Sequence, residues 1–178
     1  MKKLLLLLLP LSVIFTSCEQ KVDPVAYNDN LVKYSEDAEK RLEVLDGKID
    51  AFFDSEEFSA DQFTLLSESM KEVKDSIQSD LDKIKLLEKP SGAEAFANTT
   101  VAYVESLLNQ VNTYNEQYAK LSNENTDEEL MKMDEAINKT LEDTDVKLDE
   151  MIKAQTAFAK ANNMELTLQV PTSSNTVQ

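Results

Sequence analysis

Residues 97–121, ANTTVAYVESLLNQVNTYNEQYAKL, show the pattern that decides the fold, because apolar side chains recur there at alternating steps of three and four. An α-helix turns once in about 3.6 residues, so this spacing places them on one helical face. Three other stretches share the pattern, which predicts four amphipathic helices. The stripes are Tyr27, Leu31, Tyr34, Ala38, Leu42, Leu45, Ile49, Phe52; Phe63, Leu66, Met70, Val73, Ile77, Leu81, Ile84, Leu87; Ala97, Val101, Val104, Leu108, Val111, Tyr114, Tyr118, Leu121; and Leu130, Met133, Ile137, Leu141, Thr144, Leu148, Met151, Gln155, Phe158.

Residues that can cap a helix stand at the start of each stripe. Asp23 precedes Pro24, a residue that suits the first position of a helix. The other three starts match the capping box, Ser or Thr followed three positions later by Glu or Gln. These pairs are Ser59 with Gln62, Ser91 with Glu94, and Thr126 with Glu129. The signals predict helices near 24–54, 60–88, 92–122 and 127–163, and a flexible C-terminal tail over 164–178.

The four predicted helices have similar lengths and short connections. Consecutive helices joined in this way usually lie antiparallel. The fold class is therefore all-α, and the predicted architecture is an antiparallel up-down-up-down four-helix bundle over 24–163. The alternative is an extended pair of helical hairpins that dimerises.

A basic start and an apolar run open the chain. Lys2 and Lys3 precede the apolar run 4–15, the order found in export signal peptides. The run is shorter than the roughly 20 apolar residues that span a bilayer, and Pro10 interrupts it. We therefore expect residues 1–17 to be a cleaved signal peptide.

Cys18, the only cysteine, follows this run directly. The four residues 15–18, Phe-Thr-Ser-Cys, resemble the lipobox of bacterial lipoproteins. The resemblance implies a lipidated Cys18, a tether over 18–23, and the membrane as a partner. Glu19 follows the cysteine, so the Asp that retains enterobacterial lipoproteins in the inner membrane is absent there. We expect an outer-membrane anchor, with the cell surface favoured over the periplasmic leaflet; the alternative is an ordinary secretory peptide.

The composition excludes several classes of chemistry. The formal net charge is −16, which disfavours nucleic acid as a partner. The chain has no histidine, the commonest general base and metal ligand. It has two glycines, too few for a glycine-rich phosphate loop. We expect no enzyme activity, no cofactor and no metal.

Tyrosines are the residues that could line a ligand site. Tyr27 and Tyr34 lie two turns apart on one face, and Tyr114 and Tyr118 lie one turn apart. These four could line a cleft between helices; the alternative is packing in the core or at its rim. The densest group of carboxylates lies in the fourth helix, where the spacing favours a solvated acidic face over a metal site. Its members are Glu142, Asp143, Asp145, Asp149 and Glu150.

Two segments, 23–32 (DPVAYNDNLV) and 157–166 (AFAKANNMEL), resemble an uncharacterised family of bacterial surface lipoproteins of spirochaetes and Bacteroidota. The resemblance implies a small helical-bundle lipoprotein and carries over no catalytic or binding residue. We expect a lipid-anchored protein of the outer envelope with a non-enzymatic interaction or structural role, and a protein or other envelope component as its partner. The alternative is a binding module with a pocket between helices for a small molecule or cation.

Overall fold

The computed structural model describes residues 22–54, 60–121 and 125–166. These residues form four helices and no strand, which confirms the all-helical prediction. The predicted signal peptide and Cys18 lie outside the described residues, as does the segment 167–178. The helices are α1 (Pro24–Phe53), α2 (Ala60–Leu86), α3 (Glu94–Tyr118) and α4 (Asp127–Ala161).

Two of the predicted helix caps are confirmed. The Asp23 side chain accepts a hydrogen bond from the Val25 backbone N–H at 3.0 Å, with Pro24 at the start of α1. At the start of α4, Thr126 and Glu129 form both hydrogen bonds of a capping box. Each cap satisfies backbone N–H groups that have no partner inside the helix.

The predicted capping box of Ser91 with Glu94 is wrong. Helix α3 begins only at Glu94, after Ala93, so Ser91 lies outside the helix. A turn precedes it, in which the Ala93 N–H donates to the Pro90 carbonyl at 3.2 Å and Gly92 has a φ of 81°. This left-handed conformation suits glycine and cannot continue a right-handed helix, so the start moves toward the C-terminus.

The first three helices pack on one another, whereas α4 packs mainly on α3. The interior that these helices share is mainly apolar, and a fully buried aliphatic side chain contributes about 1.5–3 kcal/mol. Helix α4 adds Met151 and Phe158 to this continuous core. The Phe158 ring contacts Tyr27 and Phe96, with ring centroids 6.1 and 5.7 Å apart. Phe158 therefore joins α4 to both α1 and α3.

Polar contacts identify the segments that lie side by side. Lys48, late in α1, donates to Ser69, early in α2, at 3.1 Å. Lys85, at the end of α2, is 2.8 Å from Glu105 in α3. Gln155, near the end of α4, donates to the Asn28 side chain near the start of α1 at 3.0 Å.

Candidate functional site

Tyr27, the first predicted site residue within the described residues, lies in the core. Its side chain is buried and packs edge-on against Phe158. Burial, together with the nearby charge of Glu94, raises the pKa of the Tyr27 hydroxyl. The hydroxyl is buried without a hydrogen-bond partner among the described residues. Tyr27 therefore serves as an aromatic core residue at the end of the bundle where α1 begins.

Tyr34 is half-buried at the interface of α1 and α2. The Lys83 ammonium lies over its ring, 5.5 Å from the ring centroid. A cation above an aromatic face contributes about 0.5–1 kcal/mol at an exposed site. One face of the Tyr34 ring is thus already in contact with the Lys83 ammonium.

Tyr114 and Tyr118 stack on each other near the C-terminal end of α3. Their ring centroids are 5.8 Å apart, and Phe53 at the end of α1 contacts Tyr118 at 5.2 Å. We call Phe53, Tyr114 and Tyr118 the aromatic cluster. The structure brings these rings together at the opposite end of α1 from Tyr27, so the four predicted tyrosines do not surround one cleft.

Carboxylates surround the aromatic cluster. Burial raises the pKa of Tyr118 to about 12, and the charges of Asp46, Asp134 and Asp50 act in the same direction. Tyr114 is buried, and its hydroxyl lies 2.6 Å from the Gln110 side-chain amide. The cluster therefore combines aromatic faces with a negative electrostatic potential, the two features that attract an organic cation.

Two pairs of a carboxyl and a tyrosine hydroxyl join α1 to α3. The Tyr103 hydroxyl acts on Glu39 and the Tyr114 hydroxyl acts on Asp46, and each lowers the pKa of its carboxyl by hydrogen bonding. Burial has the larger effect, and it raises the pKa of both carboxyls. The pKa of Asp46 rises to about 6. Burial and the adjacent carboxylates also raise the pKa values of the Tyr103 and Tyr114 hydroxyls. We call Glu39–Tyr103 and Asp46–Tyr114 the acid–tyrosine pairs.

A fully buried carboxylate, Asp80 of α2, is paired with cations instead. Its side chain is 1% exposed, and one oxygen accepts a hydrogen bond from Arg41 of α1, the only arginine of the chain. The other oxygen accepts from Lys83 at 2.7 Å. A buried carboxylate is costly unless it is paired and hydrogen-bonded, and these two contacts meet that requirement.

Sequence reasoning missed Glu39, Asp46 and Asp80. Each lies at the flank of an apolar stripe, Glu39 after Ala38 and Asp80 before Leu81. The positions of these three carboxyls on their helices therefore indicated partial burial. The partner of each carboxyl depends on how far neighbouring helices are rotated and shifted, which the spacing within one helix does not specify.

The predicted acidic face of α4 is exposed to solvent along its length. Residues 142, 143, 145, 149 and 150 are all exposed, and α4 carries ion pairs such as Lys147–Glu150 at 3.2 Å. In residues 22–54, 60–121 and 125–166, no group of three or more acidic side chains could hold a metal ion.

Three surface grooves lie on the described part of the bundle. The described residues that line one groove of about 660 Å³ belong to α4 and include Met131 and Asp134. One of about 230 Å³ lies between α2 and α3 and is smaller than typical ligand sites of about 300–1,000 Å³. A third lies between α1 and α2 beside Arg41. None of the described residues that line these three grooves is a tyrosine.

No protein-family model, curated protein or solved structure matches this chain. Within the part of the chain that the structure describes, no helix is both long enough and apolar enough to cross a membrane.

Proposed function

We propose that this chain is a lipid-anchored lipoprotein of the outer membrane, whose helical bundle has a non-enzymatic interaction or structural role. The observation that supports the non-enzymatic role is that the buried carboxyl and the two half-buried ones each face a structural partner, and the anchor rests on the sequence around Cys18. Asp80 is paired with cations, and Glu39 and Asp46 are paired with tyrosine hydroxyls inside a helix interface.

Carboxyls with shifted pKa values often mark catalytic sites, so Glu39 and Asp46 need a specific explanation. A catalytic carboxyl must reach a substrate in a cleft. These two instead face the tyrosines of α3, and Tyr103 and Tyr114 are both buried. Their arrangement supports a role in holding α1 against α3.

The proposed architecture is an up-down-up-down bundle. Three contacts support it: Lys48 with Ser69 for α1 beside α2, Lys85 with Glu105 for α2 beside α3, and Phe158 with Phe96 for α3 beside α4. In each, the segments in contact fit helices that run in opposite directions. The contact between Gln155 and Asn28 fits α4 returning to the start of α1.

The position of the cap orients the bundle relative to the proposed anchor. Helix α1 begins at Pro24, so the tether over 18–23 spans at most about 20 Å. The end that contains Tyr27 would then face the membrane. The aromatic cluster would lie about 45 Å farther out, at the far end of the 30-residue helix α1. Acidic side chains along α4 would face a partner in the envelope or outside the cell.

Two experiments on cells, palmitate labelling and protease accessibility, test the proposal. We expect labelled palmitate to enter the protein and to be lost in Cys18→Ser, because the thiol is the acceptor. A Ser17→Ala variant, which keeps a small residue before the cysteine, is the matched control and should retain the label. Label that persists in Cys18→Ser would contradict the anchor. Protease added to intact cells, with a periplasmic marker as control, would separate surface exposure from periplasmic location.

The aromatic cluster supports a second candidate function, the binding of a small organic cation. Tyr118 is partly exposed beside Phe53, and carboxylates of α1 and α4 act on it. We expect tetramethylammonium to shift the NMR signals of Tyr118 and not those of Tyr34, whose ring already faces Lys83. Tyr118→Leu should abolish the shifts. Equal shifts at both tyrosines would indicate non-specific binding and contradict this candidate.

A further inference from the structure

The groove between α2 and α3 differs from the other two in the charge of its lining. The described residues that line it include Lys71 and Lys74 and no carboxylate. By contrast, Asp134 lines the groove on α4, and Asp37 lines the groove between α1 and α2. The chain has a formal net charge of −16, so this lining is a local exception. It favours a negatively charged ligand.

Two helix faces supply the polar groups of this groove. On α2, Ser67, Lys71 and Lys74 follow one another at steps of four and three residues, so they share one face. On α3, Asn112 and Asn115 are three residues apart and share a face in the same way. We call these five residues the lysine–amide groove.

Buried apolar side chains form the floor of the lysine–amide groove. Met70 of α2 and Val111 of α3 both line it, and both are buried in the core. Because core side chains are closely packed, this floor is fixed in position. The groove has a volume of about 230 Å³, below the roughly 300 Å³ of the smallest typical ligand pockets. It therefore suits a small ligand, or one chemical group of a larger one.

Most of the donors in the groove are not used by the described part of the chain. The side chains of Lys74, Asn112 and Asn115 form no hydrogen bond or ion pair with a residue of 22–54, 60–121 or 125–166. Lys71 pairs with Asp75 at 2.7 Å, and both side chains are exposed. Such an exposed pair is weak, so a bound anion can compete for the Lys71 ammonium.

We propose that the lysine–amide groove binds a phosphate group. At pH 7 a phosphate monoester carries a charge of about −1.5 to −2 and three oxygens that accept hydrogen bonds. Lys71 and Lys74 supply two positive charges. The amides of Asn112 and Asn115 and the hydroxyl of Ser67 can donate to the oxygens. A carboxylate has one charge and two oxygens, so it would use fewer of these groups. The proposal depends neither on Cys18 nor on the proposed function.

Acidic residues next to the groove in sequence limit its affinity. Glu68, Glu72 and Asp75 of α2 and Glu116 of α3 are all exposed. Their charges, together with the net charge of the chain, repel an approaching anion. We therefore expect a dissociation constant on the order of millimolar for inorganic phosphate.

Titration of the purified protein with sodium phosphate at about pH 7.5 and constant ionic strength tests the proposal. Proton–nitrogen NMR follows the side-chain amides of Asn112 and Asn115, whose signals should shift and saturate. Sodium acetate should bind at least about fivefold more weakly than phosphate. Lys74→Met should raise the dissociation constant of phosphate about fivefold. The matched control is Lys85→Met, because Lys85 also lies between α2 and α3 but pairs with Glu105 at 2.8 Å. This variant should keep the wild-type dissociation constant.

Three results would overturn the proposal. The first is an amide shift that grows linearly with phosphate and does not saturate. The second is equal weakening in Lys74→Met and Lys85→Met, which would assign binding to the overall charge. The third is equal affinity for acetate and phosphate, a comparison that needs no variant.

Glycerol phosphate separates two sources of the phosphate group. Tighter binding of glycerol phosphate than of inorganic phosphate would support the proposal and assign the groove to a phosphate ester such as a lipid headgroup. Tighter binding of inorganic phosphate would support the proposal and assign the groove to the free ion.

Discussion

The pairing of Asp80 with Arg41 gives the sharpest prediction about stability. Arg41→Met keeps the apolar stem of the side chain and removes its charge, so Asp80 loses one of its two cationic partners. Removing a partner from a fully buried pair costs about 3–5 kcal/mol. Two features of the structure reduce that figure. Lys83 still contacts the other oxygen at 2.7 Å, and the Arg41 side chain is 37% exposed, so water can partly replace it. We expect a loss of about 1.5–3 kcal/mol.

The neighbouring Lys40 provides a matched control. Its side chain is 66% exposed and pairs with Glu36 at 3.3 Å within the same helix. Such exposed pairs contribute about 0.3–0.5 kcal/mol. Lys40→Met therefore removes the same charge from the adjacent position and should change stability little.

Urea unfolding at pH 7 measures both variants. Small proteins lose about 1–3 kcal/mol of stability per molar urea, so the Arg41→Met midpoint should fall by about 1 M. The Lys40→Met midpoint should fall by a small fraction of that. In the double variant Arg41→Met with Asp80→Asn, the loss should be less than the sum of the single losses, because no buried charge remains unpaired. Equal losses for Arg41→Met and Lys40→Met would refute the assignment of Asp80 as a paired interior charge.

Three further predictions concern the ends of α4 and the tyrosines. Thr126→Ala removes the capping box and should cost about 1 kcal/mol, with faster amide exchange in the first turn of α4. Phe158→Ala should cost about 3–5 kcal/mol in thermal or urea unfolding, because the buried ring joins α4 to α1 and α3. In an alkaline absorbance titration Tyr118 should ionise near pH 12, and Tyr103 and Tyr114 should also ionise above their ordinary range. Since the raised pKa values favour the neutral hydroxyls, stability should fall as the pH rises above about 10. Ionisation of Tyr103, Tyr114 and Tyr118 near pH 10 in the folded protein would contradict this.

The apolar stripes were sufficient to predict the four helices, because a period of about 3.6 residues is a property of each segment by itself. They did not predict how much of each stripe a neighbour covers. Leu130 and Leu141 belong to the stripe of α4, yet they are 38% and 37% exposed because α4 packs mainly on α3. The spacing shows which face of a helix is apolar, and the arrangement of the other helices decides how wide a strip is buried.

The positions of the tyrosines could also be predicted only in part. Periodicity gives the direction of a side chain around the helix axis, so it grouped Tyr27 with Tyr34 and Tyr114 with Tyr118. It does not specify which positions along two neighbouring helices lie side by side. The contact of Tyr118 with Phe53 puts the aromatic cluster at the end of α1. The start of α3 depended on a single residue, Gly92, whose left-handed conformation the capping pattern around Ser91 did not indicate.

The anchor at Cys18 is the central claim about function, and mass spectrometry of the protein isolated from membranes tests it most directly. We predict an N-terminal peptide that begins at Cys18 and carries a diacylglycerol on its sulfur and an acyl chain on its amine. An N-terminal peptide that begins at another residue, or one that begins at Cys18 with a free thiol, would contradict the account.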